Sequence, residues 1–430
     1  MNKDRNTSWV FRSDFERGGQ MVKSRLKVKE KYMFESIYDS LVSEKIRHLE
    51  RDIGILSLGL ANPESVYVNT ARVARKFKAH MKDALRDIGQ DILIADINEA
   101  REGVFEFWTM NPALQYELYI ERFFDEPYYD RFITKHYKWY ERVELLLDNG
   151  YDYLLEIINN YLKDIHDLVE ADLIKEAEEY MLNEVEFIGD RKDGSRCAVR
   201  CKIGNENLLY RPESGRLYEL YGKVIRLVSD NDRYRTLNIL KGKKYYWCEF
   251  VKNERCHKDS EINEFYKNSG YMLAAAYLMN ATDVDNSNIY AVGKYPIIMN
   301  ADMHETAGHD ILGDMKVMEK SEIEIEGEFT SEAKIHSIRR KCLSNTTHLP
   351  RLGKEGIPVY NYVADVLEGF AEGYGNMIKN KDKLIQLIDD RVLKRRYESP
   401  IDSILDKLDH LSDSDKKRQL TFINNAFNYR

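Results

Sequence analysis

Hydrophobic residues in the first part of the chain recur at the spacing of amphipathic helices. From Arg131 onward they lie three and four residues apart, and the same spacing resumes at Tyr151. Asn149-Gly150 lies between the two runs. Because glycine commonly ends a helix, we expect one helix to stop there and another to begin. The pattern predicts a helical N-terminal region over residues 1–180.

Near residue 183 the hydrophobic period changes from that of a helix to that of a strand. Apolar and polar residues alternate over residues 199–203, and residues 204–207 have the composition of a turn. Residues 208–211 return as a second strand, so this stretch predicts a β-hairpin.

A helix over residues 216–228 follows the hairpin, and then an aromatic and β-branched strand over residues 245–251. Hairpin, helix and strand together predict a small β-rich lobe over residues 181–253. The boundary with the N-terminal helices is expected near 175–185.

Helices return after this lobe, over residues 261–279 and 360–378. Between them the pattern predicts one more hairpin over residues 289–299, with its turn at Gly293. We therefore expect a large helical lobe over residues 254–430 and, for the whole chain, a helix-rich α+β fold.

Composition narrows the class of protein. The 430 residues, 43% of them hydrophobic, suffice for two or three domains of about 150 residues. The 23 glycines and 8 prolines are few for a many-stranded all-β protein. The net charge of −8 gives no general attraction to nucleic acid or to an anionic membrane.

The cysteines and the N-terminus bear on the compartment. Five cysteines, an odd number, argue against a disulfide framework. The N-terminus lacks an apolar signal core, and no apolar run reaches the roughly 18 residues that span a bilayer. We expect a cytoplasmic protein with no integral membrane segment and no nucleic-acid partner.

The second hairpin is flanked by residues suited to phosphoryl transfer. Asp283 and Asn288 precede it, and Asp302 follows it. Transfer from ATP uses an aspartate to orient the attacking hydroxyl and oxygen ligands to hold Mg²⁺, and the three residues occur in that order. Asp and Asn beside turns also commonly cap helices or close loops, so the spacing alone leaves both interpretations open.

The β-rich lobe has features of a nucleotide-binding lobe. Kinase-like folds cover the phosphates with a glycine-containing turn and hold them with a cation on the third strand. Here a turn opens at Gly189, and Arg211 lies on the last strand of the hairpin. The strand over residues 245–251, with Glu249, would line the adenine. Alternatively, the turn has no ligand and Arg211 pairs with Glu213 at the surface.

Five motifs carry a resemblance that extends from about residue 85 to the C-terminus. They are Phe-Phe-Asp-Glu-Pro-Tyr-Tyr-Asp-Arg-Phe (123–132), Leu-Leu-Tyr-Arg-Pro-Glu-Ser (208–214), Trp-Cys-Glu-Phe-Val (247–251), Leu-Met-Asn-Ala-Thr-Asp (278–283) with Asn288-Ile289, and Leu-Ser-Asp-Ser-Asp-Lys-Lys-Arg-Gln-Leu (411–420). In this order they resemble the dehydratase domain of class II lanthipeptide synthetases, the LanM family.

The resemblance implies a distorted kinase-like fold, similar to lipid kinases, that uses ATP and Mg²⁺. Such a domain phosphorylates Ser and Thr of a ribosomally made precursor peptide and then eliminates phosphate, giving dehydroalanine and dehydrobutyrine. We expect the N-terminal helices to provide a groove for the peptide's leader. No cyclase segment precedes Arg430, so we expect a stand-alone dehydratase with a separate cyclase or synthetase as partner.

The resemblance also implies roles for individual residues. Asp283 would orient or deprotonate the substrate hydroxyl, and Asp285 lies in the same loop. The Mg²⁺ ligands would be Asn288, Asn300 and Asp302.

Other residues would act on the phosphates and in elimination. Arg211 and Lys192 would hold the phosphates, and Arg391 would stabilise the departing phosphate. Asp190 is a candidate for the base of the elimination or for a residue that orients a basic side chain.

Several of these positions differ from the family pattern. Lys192 and Asp285 stand where the family has His, and Arg211 stands where it has Lys. Asn300 falls on the family's metal Asp in ungapped register, whereas a shift of one residue would place Asp302 there. Tyr397 occupies the position of a Thr that the family uses in elimination.

Three hypotheses arise from these differences. The first is a full dehydratase. The second, motivated by Tyr397, is a peptide kinase that stops at the phosphate. The third is a non-catalytic partner that recruits peptide or a second synthetase. It is motivated by the substitutions at four positions, Lys192, Arg211, Asp285 and Asn300.

Three further features are better explained structurally. His304 and His309 resemble a zinc-protease motif but are five residues apart, which turns them away from each other on a helix. Cys197 and Cys201 are expected to pack on one face of a strand. The basic run over residues 394–396 is typical of a solvated helix end.

Overall fold

The computed structural model describes residues 16–17, 20–21, 34–58, 65–103, 110, 112–192, 196–232, 234–281, 289–299, 349–389 and 398–428. At residues 16–17, 20–21, 101–103, 112, 189–192, 398–400 and 426–428 it describes the backbone alone. The chain divides into two compact units, Met1–Pro212 and Glu213–Arg430, here called the first and the second unit. Helices and strands occur in both, which agrees with the predicted helix-rich α+β class. The kinase-like arrangement and the division at 180 and 253 stay predictions.

Helices form most of the described part of the first unit. In chain order they are α1 (Glu35–Lys45), α2 (Leu49–Ser57), α3 (Thr70–Gly103), α4 (Pro112–Phe123), α5 (Glu126–Lys135) and α6 (Tyr137–Glu170).

The prediction of a helix end at Asn149-Gly150 is wrong. Helix α6 runs unbroken through both residues, and the preceding helix ends instead at Lys135. A Cβ atom at position 150 would lie 2.6 Å from the Sδ atom of Met81 in α3. The glycine therefore provides a close approach of two helices, which has the same sequence signal as a helix end.

A mixed sheet lies in the same unit. Two short strands, β1 (Glu16–Arg17) and β2 (Gln20–Met21), pair separately, and the sheet itself consists of β3 (Val66–Val68), β4 (Tyr180–Lys192), β5 (Arg196–Ile203) and β6 (Glu206–Arg211). Strand β3 is parallel to β4, whereas β4, β5 and β6 are successively antiparallel.

The predicted β-hairpin is confirmed as β5 and β6. Cys201 pairs with Leu208, and the turn is made by Gly204 in the left-handed region (φ 54°), which glycine enters without steric cost. Helix α6 packs on this sheet, where the Tyr153 hydroxyl donates to the Cys197 carbonyl and the Tyr161 hydroxyl donates to the Tyr180 carbonyl.

The second unit contains the three remaining predicted helices, α7 (Arg216–Val228), α8 (Asp259–Leu278) and α9 (Val363–Lys379). Three more helices were not individually predicted: α10 (Lys381–Ile388), α11 (Glu398–Asp409) and α12 (Asp413–Asn428). The strands described in this unit form three antiparallel pairs, β7 (Ile239–Lys241) with β8 (Tyr246–Glu249), β9 (Ile289–Val292) with β10 (Tyr295–Ile298), and β11 (Arg351–Leu352) with β12 (Glu355–Gly356).

Helices α8 and α9 are in backbone contact through glycines. A Cβ atom on Gly270 would lie 2.2 Å from the Val366 carbonyl oxygen, and one on Gly369 would lie 2.0 Å from the Lys267 carbonyl oxygen. This crossing fixes α8, the helix that leads toward the predicted phosphoryl-transfer loop.

Candidate functional site

The β9–β10 hairpin is a firmly held element of the second unit. Ile289 pairs with Ile298, and Gly293 makes the turn with φ 54°. The Tyr218 hydroxyl donates to the Ile298 carbonyl at 2.9 Å, and the Ala291 N–H donates to the Asn253 side chain at 3.0 Å. These hydrogen bonds fix the position of the chain from Ile289 to Ile298.

Most of the predicted site residues lie outside the described residues. These are Asp283, Asp285, Asn288, Asn300, Asp302 and Arg391. Their roles stay predictions, as do the zinc-protease resemblance at His304 and His309 and the basic run at 394–396. The described elements that border them are the end of α8 and the β9–β10 hairpin.

Arg211 is the last residue of β6, the third strand of the antiparallel part of the first unit's sheet. Its neighbour Tyr210 is fully buried, accepts a hydrogen bond from Asn160 Nδ2 at 2.9 Å and donates one to Glu156 Oε1 at 2.9 Å, both on α6. Successive side chains of a strand point to opposite faces. The Arg211 side chain therefore extends from the face of the sheet opposite to α6.

Glu156 holds Tyr210 in this orientation. Besides the Tyr210 hydroxyl it accepts hydrogen bonds from Arg196 on β5, whose guanidinium lies 5.1 Å from the ring centroid of Tyr153. Burial, followed by the negative charge of Glu156, raises the pKa of Tyr210 above its usual range. Tyr210 thus stays a protonated donor, and the strand next to Arg211 is held in one orientation.

Asp190 and Lys192 lie at the end of β4, where Lys192 pairs with Arg196. The register shifts between Ile188 and Lys192, which marks a β-bulge in this part of the strand. The strand therefore continues through the predicted glycine turn as far as Lys192.

Glu249 ends β8 and is engaged within its own unit. Arg235 Nη1 donates to Glu249 Oε1 at 2.7 Å, Nη2 donates to the other carboxylate oxygen, and the Asn238 N–H donates to Oε1 at 2.7 Å. A nucleotide that contacted Glu249, as predicted, would have to share its carboxylate with Arg235 and Asn238.

A partly buried polar network lies where α8 ends. Lys407 of α11 donates to the Tyr277 carbonyl at 2.5 Å and to the Asn280 side-chain oxygen, and its Nζ lies 4.4 Å from the Tyr277 ring centroid. The Tyr277 and Tyr374 hydroxyls both donate to Asp415 Oδ2, at 2.8 and 2.7 Å.

A cavity of about 730 Å³ opens among the helices of the first unit. Asp96, 7% exposed, lies in it and accepts hydrogen bonds from Tyr119 at 3.1 Å and Tyr128 at 2.7 Å. The wall includes residues 125–128, part of the aromatic motif singled out in the sequence, together with basic and acidic residues: Glu99, Arg122, Arg131 and Lys135.

Comparison with known proteins found a matching family model and a distant relative. A family model described as a domain of unknown function (DUF4135) matches residues 140–309. The chain is also 21% identical over 285 residues to the lacticin 481/lactococcin biosynthesis protein LcnDR2 of Lactococcus lactis subsp. lactis. That alignment covers 54% of this chain and 30% of the relative, so the chain spans less than a third of the relative's length.

The family match covers the residues predicted for phosphoryl transfer. It includes Arg211, the α8 helix, the β9–β10 hairpin and the segment that contains Asp283. Arg391 and Lys407 lie beyond it.

Sequence reasoning did not find Lys407 or Asn280. Helix α11 buries Ile401, Ile404 and Leu408, and this spacing places Lys407 at the edge of the apolar stripe, where lysines are common. The sequence therefore gives no signal for Lys407 itself. The available signal was the Ser-x-x-Asp pattern at Ser412 and Asp415, where the Ser412 hydroxyl caps α12 by accepting the Asp415 N–H at 3.2 Å.

Among the residues that the structure describes, no group of three or more His, Cys, Asp or Glu side chains is arranged to hold a metal ion. None of the helices in the described part of the chain is long and apolar enough to cross a membrane. The four described cysteines, including Cys197 and Cys201, are buried, as expected for packing residues.

Proposed function

We propose that this protein modifies a ribosomally made precursor peptide in lanthipeptide maturation, by phosphorylating Ser and Thr side chains and then eliminating phosphate. The observation that carries the proposal is the similarity over 285 residues to a lacticin 481/lactococcin biosynthesis protein. The order of Asp283, Asn288 and Asp302 around a firmly held hairpin supports the phosphoryl-transfer half.

The first step is an in-line phosphoryl transfer. The Ser or Thr oxygen attacks the γ-phosphorus of ATP as Asp283 accepts the hydroxyl proton, the bond to the bridging oxygen breaks and ADP leaves. Arg211 and Lys192 hold phosphate oxygens, since both carry a positive charge at neutral pH.

The donor set suits Mg²⁺. Asp302 supplies a carboxylate and Asn288 and Asn300 supply amide oxygens, which are the hard oxygen ligands that Mg²⁺ takes. When bound, the ion neutralises charge on the ATP phosphates. Ile289 pairs with Ile298, so the chain enters and leaves the hairpin at the same end. Asn288 comes directly before Ile289, and Asn300 and Asp302 follow soon after Ile298 in the sequence, which supports a shared site for these ligands.

The second step removes the phosphate. A base takes the Cα proton of the phosphorylated residue, a Cα–Cβ double bond forms, and the Cβ–O bond breaks to release phosphate. Asp190 is the candidate base, and Arg391 stabilises the leaving group. The leader of the peptide would bind to the N-terminal helices, where the cavity at Asp96 offers an open, mixed-charge surface.

The test combines nucleotide binding with product mass. Calorimetric titration with Mg·ATP does not depend on the choice of peptide and should show binding.

The protein is then incubated with Mg·ATP and the lacticin 481 precursor peptide, or precursor peptides encoded beside this chain, and the masses of the products are measured by mass spectrometry. Loss of one water per modified residue is expected. Asp283→Asn should reduce turnover at least about a hundredfold, whereas Asp382→Asn, at an exposed position of α10, should not.

The other outcomes identify the alternatives. A stable gain of one phosphate group per modified residue would show a peptide kinase without elimination. Tyr397, in the position of a Thr that the LanM family uses in elimination, motivates this alternative. Absence of Mg·ATP binding would overturn the enzymatic proposal and favour a non-catalytic partner.

A further inference from the structure

The end of α8 is held by side chains of α11 and α12. The chain leaves the helix through Asn280, which has φ 54°, and the Ala281 N–H returns to the Ala276 carbonyl at 3.0 Å. This is the hydrogen-bond pattern of a Schellman motif, in which glycine is the usual residue and asparagine the exception. Asn280 is 1% exposed. We call residues 277–281 the α8 exit.

The Asn280 side chain gives this position a function that glycine would not have. Its Nδ2 donates to Ser403 Oγ of α11 at 3.1 Å, and its oxygen accepts from Lys407. Lys407 also donates to the Tyr277 carbonyl, which in addition accepts the Asn280 N–H at 3.4 Å. Two residues of one helix thus hold both the backbone and the side chain of the α8 exit.

Stability does not explain why a lysine occupies this place. Burial lowers the pKa of Lys407 to about 7, opposed by the negative charge of Asp415. The two oxygens to which Lys407 donates are uncharged, so the ammonium is desolvated without a direct ion pair among these bonds. Its neighbours Ile401, Ile404 and Leu408 are fully buried, and an apolar side chain would suit the stripe at lower cost. The lysine is explained by what it holds.

The α8 exit leads directly into the predicted phosphoryl-transfer loop. Asp283 lies two residues after Ala281, and the β9–β10 hairpin fixes the chain again at Ile289. We propose that Lys407 is a positioning residue for Asp283: by holding the Tyr277 carbonyl and the Asn280 side chain it fixes the point at which the chain leaves α8 toward Asp283. The proposal rests on the proposed function only for the role of Asp283, since the hold on the α8 exit is independent of any activity.

The charged and titratable groups around Lys407 leave its own proton as the variable one near neutral pH. From α8, Tyr277 lies beside it, and Tyr374 of α9 and Asp415 and Arg418 of α12 complete the network. Burial raises the pKa of both tyrosines above their usual range. Burial opposes ionisation of Asp415, but hydrogen bonds from Tyr374 and Tyr277 outweigh it and lower its pKa.

The test uses the full chain and the variants Lys407→Met, Lys407→Arg and Asn280→Gly, with Lys381→Met as the matched control. Lys381 forms a surface ion pair with Asp409 of α11 at 2.8 Å and does not touch the α8 exit. Hydrogen exchange of the Met279, Asn280 and Ala281 amides is measured by mass spectrometry, together with the melting temperature, the KM for ATP and kcat.

We expect Lys407→Met to speed exchange of these three amides about tenfold without lowering the melting temperature, and to reduce kcat with little change in KM. Lys407→Arg should restore part of the protection, Asn280→Gly should lie between, and Lys381→Met should match the parent protein. The dependence of kcat on pH near neutrality should be lost in Lys407→Met.

Two results would overturn the proposal. Unchanged exchange at the α8 exit in Lys407→Met would show that the lysine does not hold it. Faster exchange throughout α8, α9 and α12 with a lower melting temperature would show a purely structural residue. A parent protein that binds no Mg·ATP would instead refute the proposed function, and the exchange measurement would still decide the hold of Lys407 on the α8 exit.

Discussion

At the scale of single residues, Glu249 has a measurable structural role whatever its part in binding. Arg235 meets its carboxylate with two parallel bonds, and the Asn238 N–H adds a third. The hydrogen bond to Glu249 raises the pKa of Arg235, which thus stays charged. Because charge-assisted bidentate bonds are among the stronger ones, we expect Glu249→Gln to lower the free energy of unfolding by about 1–2 kcal/mol.

Chemical denaturation measures this effect, and Asp232→Asn at an exposed position is the control. In a double-mutant cycle with Arg235→Lys the two losses should not add, because each variant breaks the same pair. Fully additive losses would contradict the prediction. A parallel tenfold loss of Mg·ATP affinity in Glu249→Gln would support the predicted nucleotide contact.

Lys407 makes stability depend on pH in a defined direction. Its pKa is about 7 in the folded chain, against 10.5 for an ordinary lysine. Between these values the unfolded chain binds a proton that the folded chain has released, so the free energy of unfolding rises with pH, by up to about 1.4 kcal/mol per pH unit. The penalty is fully present below about pH 7 and disappears as the pH rises toward 10.5.

Denaturation of the parent protein and of Lys407→Met between about pH 6 and pH 9.5 tests this. At the low end the variant should be the more stable of the two, and its advantage should shrink steadily as the pH rises. An advantage that stays constant over the range would refute the shifted pKa, since all other groups cancel in the difference.

At the scale of elements, the crossing of α8 and α9 leaves no room for a methyl group. Added Cβ atoms at Gly270 and Gly369 would meet backbone carbonyl oxygens at 2.2 and 2.0 Å, and backbone cannot move aside as a side-chain end can. We expect Gly270→Ala and Gly369→Ala each to cost at least about 3 kcal/mol of unfolding free energy. Gly54→Ala in α2 has no atom within 4 Å of the new Cβ and should instead stabilise by about 0.5–1 kcal/mol.

The glycines also show how far element prediction from sequence extends. The strands β5 and β6, the helix α7 and the β9–β10 hairpin are predictable because alternation, helical spacing and turn glycines agree locally. Gly150 misleads because its cause is Met81, a residue almost seventy positions away in α3. Lys407 is hidden for the same reason: only the tertiary contact with Tyr277 and Asn280 distinguishes it from a solvent-exposed lysine.

At the scale of the whole molecule, nucleotide binding should appear as a gain in stability. A ligand that binds only the folded chain adds about 2.7 kcal/mol to the free energy of unfolding at a hundred times its Kd. We expect ATP to raise the melting temperature only when Mg²⁺ is present, because the phosphate charge needs the ion. Asp302→Asn should abolish the Mg²⁺-dependent part of this rise, since it removes the only carboxylate among the three predicted ligands, Asn288, Asn300 and Asp302.

Adding a carboxylate tests whether the three predicted ligands share one Mg²⁺ site. Asn300→Asp adds a second carboxylate to the predicted ligands, and Mg²⁺ binds carboxylates more strongly than amides. If the three residues share one site, this variant should need several-fold less Mg²⁺ for half of the ATP-dependent shift, whereas Asp382→Asn should leave the requirement unchanged. An Asn300→Asp variant whose Mg²⁺ requirement equals that of the parent protein would show that position 300 does not face the ion, and the ligand set would then have to be drawn from Asn288 and Asp302 alone.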